Sequence, residues 1–191
     1  MATPGKLANK LRPGLVFARG FLANPRRVGS VIPSSPRLVA RLLEGLDWGQ
    51  ITTLVEYGPG TGVVTRAALQ LLRPDARLIA FELNPEFAHF LARDIADPRL
   101  TVVPASAETV AAHVPGPACA VVSSLPFSIM PKAVVAGILQ ETARVLAPGA
   151  PLVGYQYSTA RVNGLRDHFR EVGLVFEPRN WPPAFVFTAR N

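Results

Sequence analysis

The sequence predicts an α/β fold: a mostly parallel sheet of seven strands, helices on both faces, and an antiparallel hairpin at its C-terminal end. Three observations carry this. Five short β-rich runs alternate with helical patterns, as a parallel sheet with helical crossovers requires. Two further apolar runs, 173–176 and 184–188, are separated only by residues 178–183, which leave no room for a crossover helix, so they pair antiparallel. Between the first run and the first helix stand Gly58, Gly60 and Gly62, spaced to turn the chain sharply and let a ligand approach the backbone.

The elements follow in order. Ser35 and Pro36 make a good N-cap and first helical residue for the pattern 38–43. Strands are expected near 52–57, 77–82, 100–103, 118–123 and 151–157. Helices are expected near 62–72, 85–96, 131–147 and 161–171. The stretch 109–131 carries no formal charge, but Pro115, Gly116, Pro117 and Pro126 break it into loop, strand and turn rather than a membrane span. Cys119, the single cysteine, excludes an internal disulfide and reads as a buried structural thiol. His89, His113 and His168 show no metal-ligand spacing, so no metal is expected. His89 and His168 fall in amphipathic patterns that suit the surface or its boundary.

At 191 residues the chain is most simply one domain preceded by an extension. The charge is placed unevenly. Residues 1–43 carry +8 with no acid, and the rest carries −1, so the entire +7 excess belongs to the N-terminal segment. A basic segment joined to a neutral core reads as a docking device for a polyanion. Within 1–27, Lys6, Lys10, Arg12, Arg19, Arg26 and Arg27 lie among Leu7, Leu11, Leu15, Val16, Phe17, Phe21 and Leu22. This suits an amphipathic helical extension lying on an anionic membrane, or one packed on the core with its arginines in water. Pro13 and Gly14 divide it into two short helical stretches. Its longest unbroken apolar run, 15–18, is too short for a signal peptide. The division expected is therefore a docking segment, 1–27, and a folded α/β domain, 28–191.

In an open α/β sheet, ligands bind beyond the carboxyl ends of the strands. The first strand ends in Glu56, Gly58, Gly60, Thr61 and Gly62, and the following helix offers its N-terminal amides. The second ends at Glu82, Leu83 and Asn84, with Glu82 twenty residues beyond Gly62, where a nucleotide-binding unit places an acid on ribose hydroxyls. A dinucleotide fingerprint would need a third glycine at position 63, which is Val63. Ser106 and Ala107 follow the third strand. Ser123, Ser124, Leu125, Pro126 and Phe127 follow the fourth. Tyr155 and Tyr157 project to one face of the fifth, where they suit cationic groups or the core alike. Arg161 comes next, a candidate for a phosphate.

The pattern Glu56-Tyr57-Gly58-Pro59-Gly60-Thr61-Gly62 resembles motif I of class I S-adenosylmethionine-dependent methyltransferases, and the terminal hairpin suits their Rossmann-like fold. With residues 28–35, Glu82-Leu83-Asn84, Ser124-Leu125-Pro126 and residues 180–184, the chain is similar to the short bacterial phospholipid N-methyltransferases. Its core is also similar to the rRNA adenine dimethyltransferases. The resemblance implies S-adenosylmethionine as cofactor, S-adenosylhomocysteine as product, and phosphatidylethanolamine or its methylated derivatives as acceptor. It implies peripheral attachment to the inner face of the cell membrane. Ser34 and Ser35 become cofactor contacts, Ser106 and Ala107 adenine contacts, and Ser123 a further cofactor contact. Ser124, Tyr155 and Tyr157 become catalytic candidates, and Leu125, Pro126, Phe127 and Arg161 substrate contacts. Nucleic acid methyltransferases usually carry Asn or Asp where this chain has Ser124. RNA is thus the rival partner, and a non-catalytic cofactor-binding protein a third reading.

Overall fold

The structure, a computed structural model, describes residues 35–191. The docking segment 1–27 and its six basic residues, and Ser34, lie outside the described residues. Helix α1 spans Pro36–Leu43, capped as expected: the Ser35 hydroxyl accepts from the Leu38 amide at 3.2 Å. Then come β1 (Thr53–Tyr57), α2 (Val63–Leu71), β2 (Arg77–Phe81), α3 (Pro85–Asp94) and β3 (Leu100–Val103). Strand β4 (Ala120–Ser123), α4 (Lys132–Val145) and β5 (Leu152–Gln156) complete the alternation, and β6 (Glu171–Glu177) and β7 (Ala184–Arg190) form the hairpin.

The seven strands make one sheet in the order β3-β2-β1-β4-β5-β7-β6. All pairs are parallel except β5 with β7 and β6 with β7. Chain direction therefore branches between β1 and β4: the chain leaves β1 toward β2 and β3, and leaves β4 toward β5. Such a switch point opens a crevice at the carboxyl ends of the two central strands. Both strands are buried on both faces, which is why they read as continuous apolar runs.

One face of the sheet is covered by α1 and α2 through Leu38, Leu42, Val64 and Ala68, packed on Leu54, Leu78 and Val122. The other is covered by α4, through Val134, Ile138 and Leu139 on Val55, Ile79 and Val121. Each fully buried Leu or Ile of this kind contributes about 1.5–3 kcal/mol. Gly154 is required by packing: a side chain there would run into the Phe187 ring and the Ser123 carbonyl.

Two expectations are corrected. The helix expected over 161–171 is a 3₁₀ segment, Thr159–Asp167, and the chain is already extended at Glu171. Gly164 weakens a helix there, while pairing with β7 recruits Glu171 and Val172 into the sheet. A second 3₁₀ segment, Ala107–Ala112, fills the crossover after β3. Cys119 is half-buried rather than buried, its sulfur 3.4 Å from the Thr52 hydroxyl, because it precedes β4 where the sheet is still opening.

Candidate active site

The strand-end crevice is a cleft whose walls are mostly apolar with a few convergent polar groups, as small-molecule sites are. Its walls come from all the central crossovers. Gly58 and Gly60 form one side, and Phe81, Glu82 and Leu83 the next. Ala105, Ser106, Ala107 and Glu108 follow, and Ser124, Leu125 and Pro126 close the far side. Nine of the residues expected from sequence thus line one space: Gly58, Gly60, Glu82, Leu83, Ser106, Ala107, Ser124, Leu125 and Pro126.

The glycine loop owes its shape to positive φ angles of 66° at Gly58, 55° at Gly60 and 81° at Gly62. Gly58 lies against Leu125, and Gly62 against α3. Gly60 has no heavy atom within 4 Å of where a side chain would sit, so its backbone stays open to a ligand. Glu82 ties the loop to the next crossover: it accepts from the Gly60 amide at 3.1 Å and from the Asn84 amide at 2.8 Å. Burial raises its pKa against these hydrogen bonds. One step behind the loop, Glu56 is entirely buried, and neither carboxylate oxygen has a hydrogen-bond partner among the described residues. Burial pushes its pKa up to about 7, with the nearby Glu82 charge adding to the rise. The Thr65 hydroxyl opposes the shift but stands outside hydrogen-bond geometry.

Ser106 caps its 3₁₀ segment, accepting from the Glu108 amide at 3.3 Å and donating to the Glu108 carboxylate at 3.1 Å. The Ser124 amide donates to the Tyr57 carbonyl at 2.9 Å, holding the β4 loop against β1. Gln156 secures the same loop from the side: its Nε2 donates to the Leu125 carbonyl at 2.9 Å. Gln156 was missed in the sequence, although a polar residue ending an apolar strand was a usable signal. Phe87, Met130, Val134 and Ile138, which complete the apolar wall, come from helices and an adjoining turn and gave no separate signal.

Other expected residues stand off the cleft wall. Phe127 is 2% exposed and turned into the core, its ring 6.1 Å from that of Phe187, because the turn after Pro126 folds it under β5. Ser123 is fully buried and accepts from the Leu125 amide at 3.3 Å. Asn84 caps α3. Thr61 is exposed, and its carbonyl accepts from Arg66. Tyr155 and Tyr157 form an edge-to-face pair with ring centroids 5.7 Å apart, on the α1 side of β5 and away from Gln156. Arg161 has a buried Nη1 with no hydrogen-bond partner among the described residues.

A family model described as a methyltransferase domain matches residues 54–149. The chain belongs to the methyltransferase family. Over 189 residues it is 30% identical to an ornithine lipid N-methyltransferase of Singulisphaera acidiphila, an alignment covering 92% of this chain and 95% of that one. It is 34% identical over 122 residues to the ribosomal RNA small subunit methyltransferase A of Rhodococcus opacus, covering 59% of this chain and 40% of that one. Its fold matches a precorrin-6y C5,15-methyltransferase from Geobacter metallireducens with a TM-score of 0.68 at 16% identity, covering 81% of this chain and 89% of that one. It is a class I S-adenosylmethionine-dependent N-methyltransferase. The cleft of this methyltransferase fits that cofactor on its own evidence: an open glycine backbone, a braced strand-end acid, an apolar wall, and behind them a buried carboxylate without a partner among the described residues.

Proposed function

We propose that this methyltransferase modifies the amine of a membrane amino-lipid, with phosphatidylethanolamine and its methylated derivatives as acceptors. The observation that carries the reading is the near end-to-end match to a lipid N-methyltransferase, set against ribosomal RNA relatives of which the chain spans only about two fifths. Ser124 in the cleft, where RNA adenine enzymes usually place Asn or Asp, supports it.

When bound, S-adenosylmethionine supplies a sulfonium methyl that an amine takes by in-line displacement. The chain's own contribution is placement, worth up to roughly 7–11 kcal/mol in favourable cases. Glu82 holds the ribose hydroxyls, the Gly58 to Gly62 backbone the amino-acid portion, and Glu56 supplies negative charge for its ammonium. Ser106 and Ala107 take the adenine edge. Leu125 and Pro126 keep water from the transfer point, and the Ser124 hydroxyl orients the amine lone pair. The Tyr155 and Tyr157 rings, on the opposite face of β5 from Gln156, are the candidates for a methylated, cationic headgroup. Arg161, whose Nη1 is buried without a partner among the described residues, is the candidate for the lipid phosphate once its side chain turns outward. The segment 1–27 would hold the enzyme on the bilayer, each basic residue adding about 1 kcal/mol near an anionic surface.

The test is label transfer from S-adenosylmethionine to vesicles containing phosphatidylethanolamine, to ornithine lipid, or to total RNA. Label in the phosphatidylethanolamine fraction is the expected result. Label in ornithine lipid alone would move the acceptor to a phosphate-free headgroup, and label in RNA alone would overturn the lipid reading.

Glu82→Ala supplies a second check. It removes the ribose acid and releases the Gly60 and Asn84 amides, and hydrogen bonds to a charged group are worth about 1.5–3 kcal/mol each. Calorimetric affinity for S-adenosylmethionine should fall at least tenfold. Unchanged affinity would mean the ribose binds elsewhere.

A further inference from the structure

We propose that the loop joining β6 to β7 is a second membrane contact, built into the folded domain, in which Trp181 seats in the headgroup layer of an anionic bilayer and turns the cleft toward it. The inference rests on the lipid reading above. It starts from topology. Strands β5 and β6 both run antiparallel to β7, so they run parallel to each other, and the loop 178–183 leaves at the carboxyl end of the sheet. That is the end that holds the cleft.

The loop presents one large side chain to solvent. Trp181 is 84% exposed, more than any other large apolar residue among those described. Its neighbours are anchored. Asn180 is buried, its Nδ2 donates to the Pro182 carbonyl at 2.7 Å, and its side chain reaches Tyr157. Pro182 and Pro183 restrict the backbone that follows. A rigid loop that buries its Asn and offers its Trp bears the cost of exposing an indole without gaining core packing. At the same end, Ile129 is 50% and Phe176 51% exposed. Ile129 belongs to the β4 loop that walls the cleft and that Gln156 secures, and Phe176 pairs with Phe185 across the hairpin.

The charge around this rim selects the partner. Arg37 and Arg179 flank the groove that Phe176 also lines, and neither side chain makes an ion pair among the described residues. Lys132 stands exposed at the start of α4. Two acids also line the groove: Glu177, at the end of β6, accepts from the Arg179 amide at 2.9 Å, and Glu44 is paired with Arg41. An indole and two other apolar side chains beside arginines that make no ion pair among the described residues suit the headgroup layer, where the amphipathic ring sits at the interface and the cations meet lipid phosphates. A lipid acceptor must also be delivered to this end of the sheet, and only a docking surface here places the bilayer opposite the cleft.

The test uses the full chain. Trp48→Phe leaves Trp181 as the sole tryptophan. Vesicles of phosphatidylglycerol and phosphatidylethanolamine should then shift its emission to the blue, and lipids brominated near the headgroup should quench it. If Trp48→Phe folds poorly, the loss of the quenched component in Trp181→Phe reads the same event. Arg179→Ala should weaken vesicle binding roughly fivefold. Trp181→Ala should raise KM for vesicle-borne acceptor several-fold while sparing transfer to a short-chain amino-lipid dispersed as monomers. Emission that vesicles leave unchanged, or that RNA quenches and vesicles do not, overturns the proposal. Transfer to the dispersed lipid separates the two failures: if it persists while Trp181 ignores vesicles, the lipid reading stands and this surface does not.

Discussion

Glu56→Gln should make the free protein more heat-stable at pH 8, by several degrees, while weakening S-adenosylmethionine binding roughly 10- to 100-fold. The stability gain follows from the raised pKa of about 7 against an ordinary 4.5. Below pH about 4.5 the carboxyl is protonated in both folded and unfolded chains, and burying it carries no charge penalty. As pH rises, the unfolded chain releases the proton first and stability falls. Above pH about 7 the whole penalty is present, about 3 kcal/mol at 1.36 kcal/mol per pKa unit. Glutamine removes the charge but leaves a buried amide to be satisfied, which returns about 1–3 kcal/mol of cost. The net gain therefore appears only at high pH and vanishes or reverses near pH 5. Affinity falls because the site loses the charge that balances the cofactor's ammonium. Melting curves at pH 5 and 8 with calorimetric titration decide it. Equal destabilisation at both pH values would show that Glu56 has a partner in the free protein.

Gly62→Ala should cost about 2–5 kcal/mol of stability and abolish measurable cofactor binding. The residue has φ 81°, a left-handed geometry that costs an L-residue roughly 1–2 kcal/mol. A methyl group there would lie 2.6 Å from Arg66 Nη1, 2.7 Å from Leu91 Cδ2 and 2.9 Å from Ile95 Cδ1. Arg66 can move, at the expense of its ion pair with Asp94, but Leu91 is fully buried. Overpacking of this kind costs about 1–3 kcal/mol. Gly60→Ala is the informative companion. Its φ is also positive, at 55°, but nothing lies within 4 Å, so the protein should lose only the backbone term while the methyl group intrudes on the ligand. Urea denaturation separates the two variants. Equal loss from both would mean that backbone geometry alone, not packing against α3, sets the cost at Gly62.

Much of the architecture was legible because each element carries its own signal. The buried run Thr53–Tyr57, the glycines after it and the acid at Glu82 depend on local chain geometry, and they occupy the places expected of them. The antiparallel hairpin was legible from a loop too short for a crossover. The error at 161–171 arose because local spacing resembled an α-helix, while the segment winds as a 3₁₀ stretch to Asp167 and pairing with a strand fifteen or more residues later takes the chain from Glu171. Phe127 was legible as a large apolar residue beside the site, but its direction depends on whether the chain turns up or down after Pro126, which its packing on Phe187 decides.

By itself, then, the sequence determined the sheet, the order of its crossovers and the cofactor-binding loop, since these follow from periodicity, turn chemistry and residues close together in the chain. Only the tertiary structure decided that Glu56 lacks a partner among the described residues, that Gln156 braces the β4 loop, and that Trp181 emerges at the cleft end. Those facts depend on distant strands meeting in one register, and burial, charge balance and direction are properties of that meeting rather than of any segment within it.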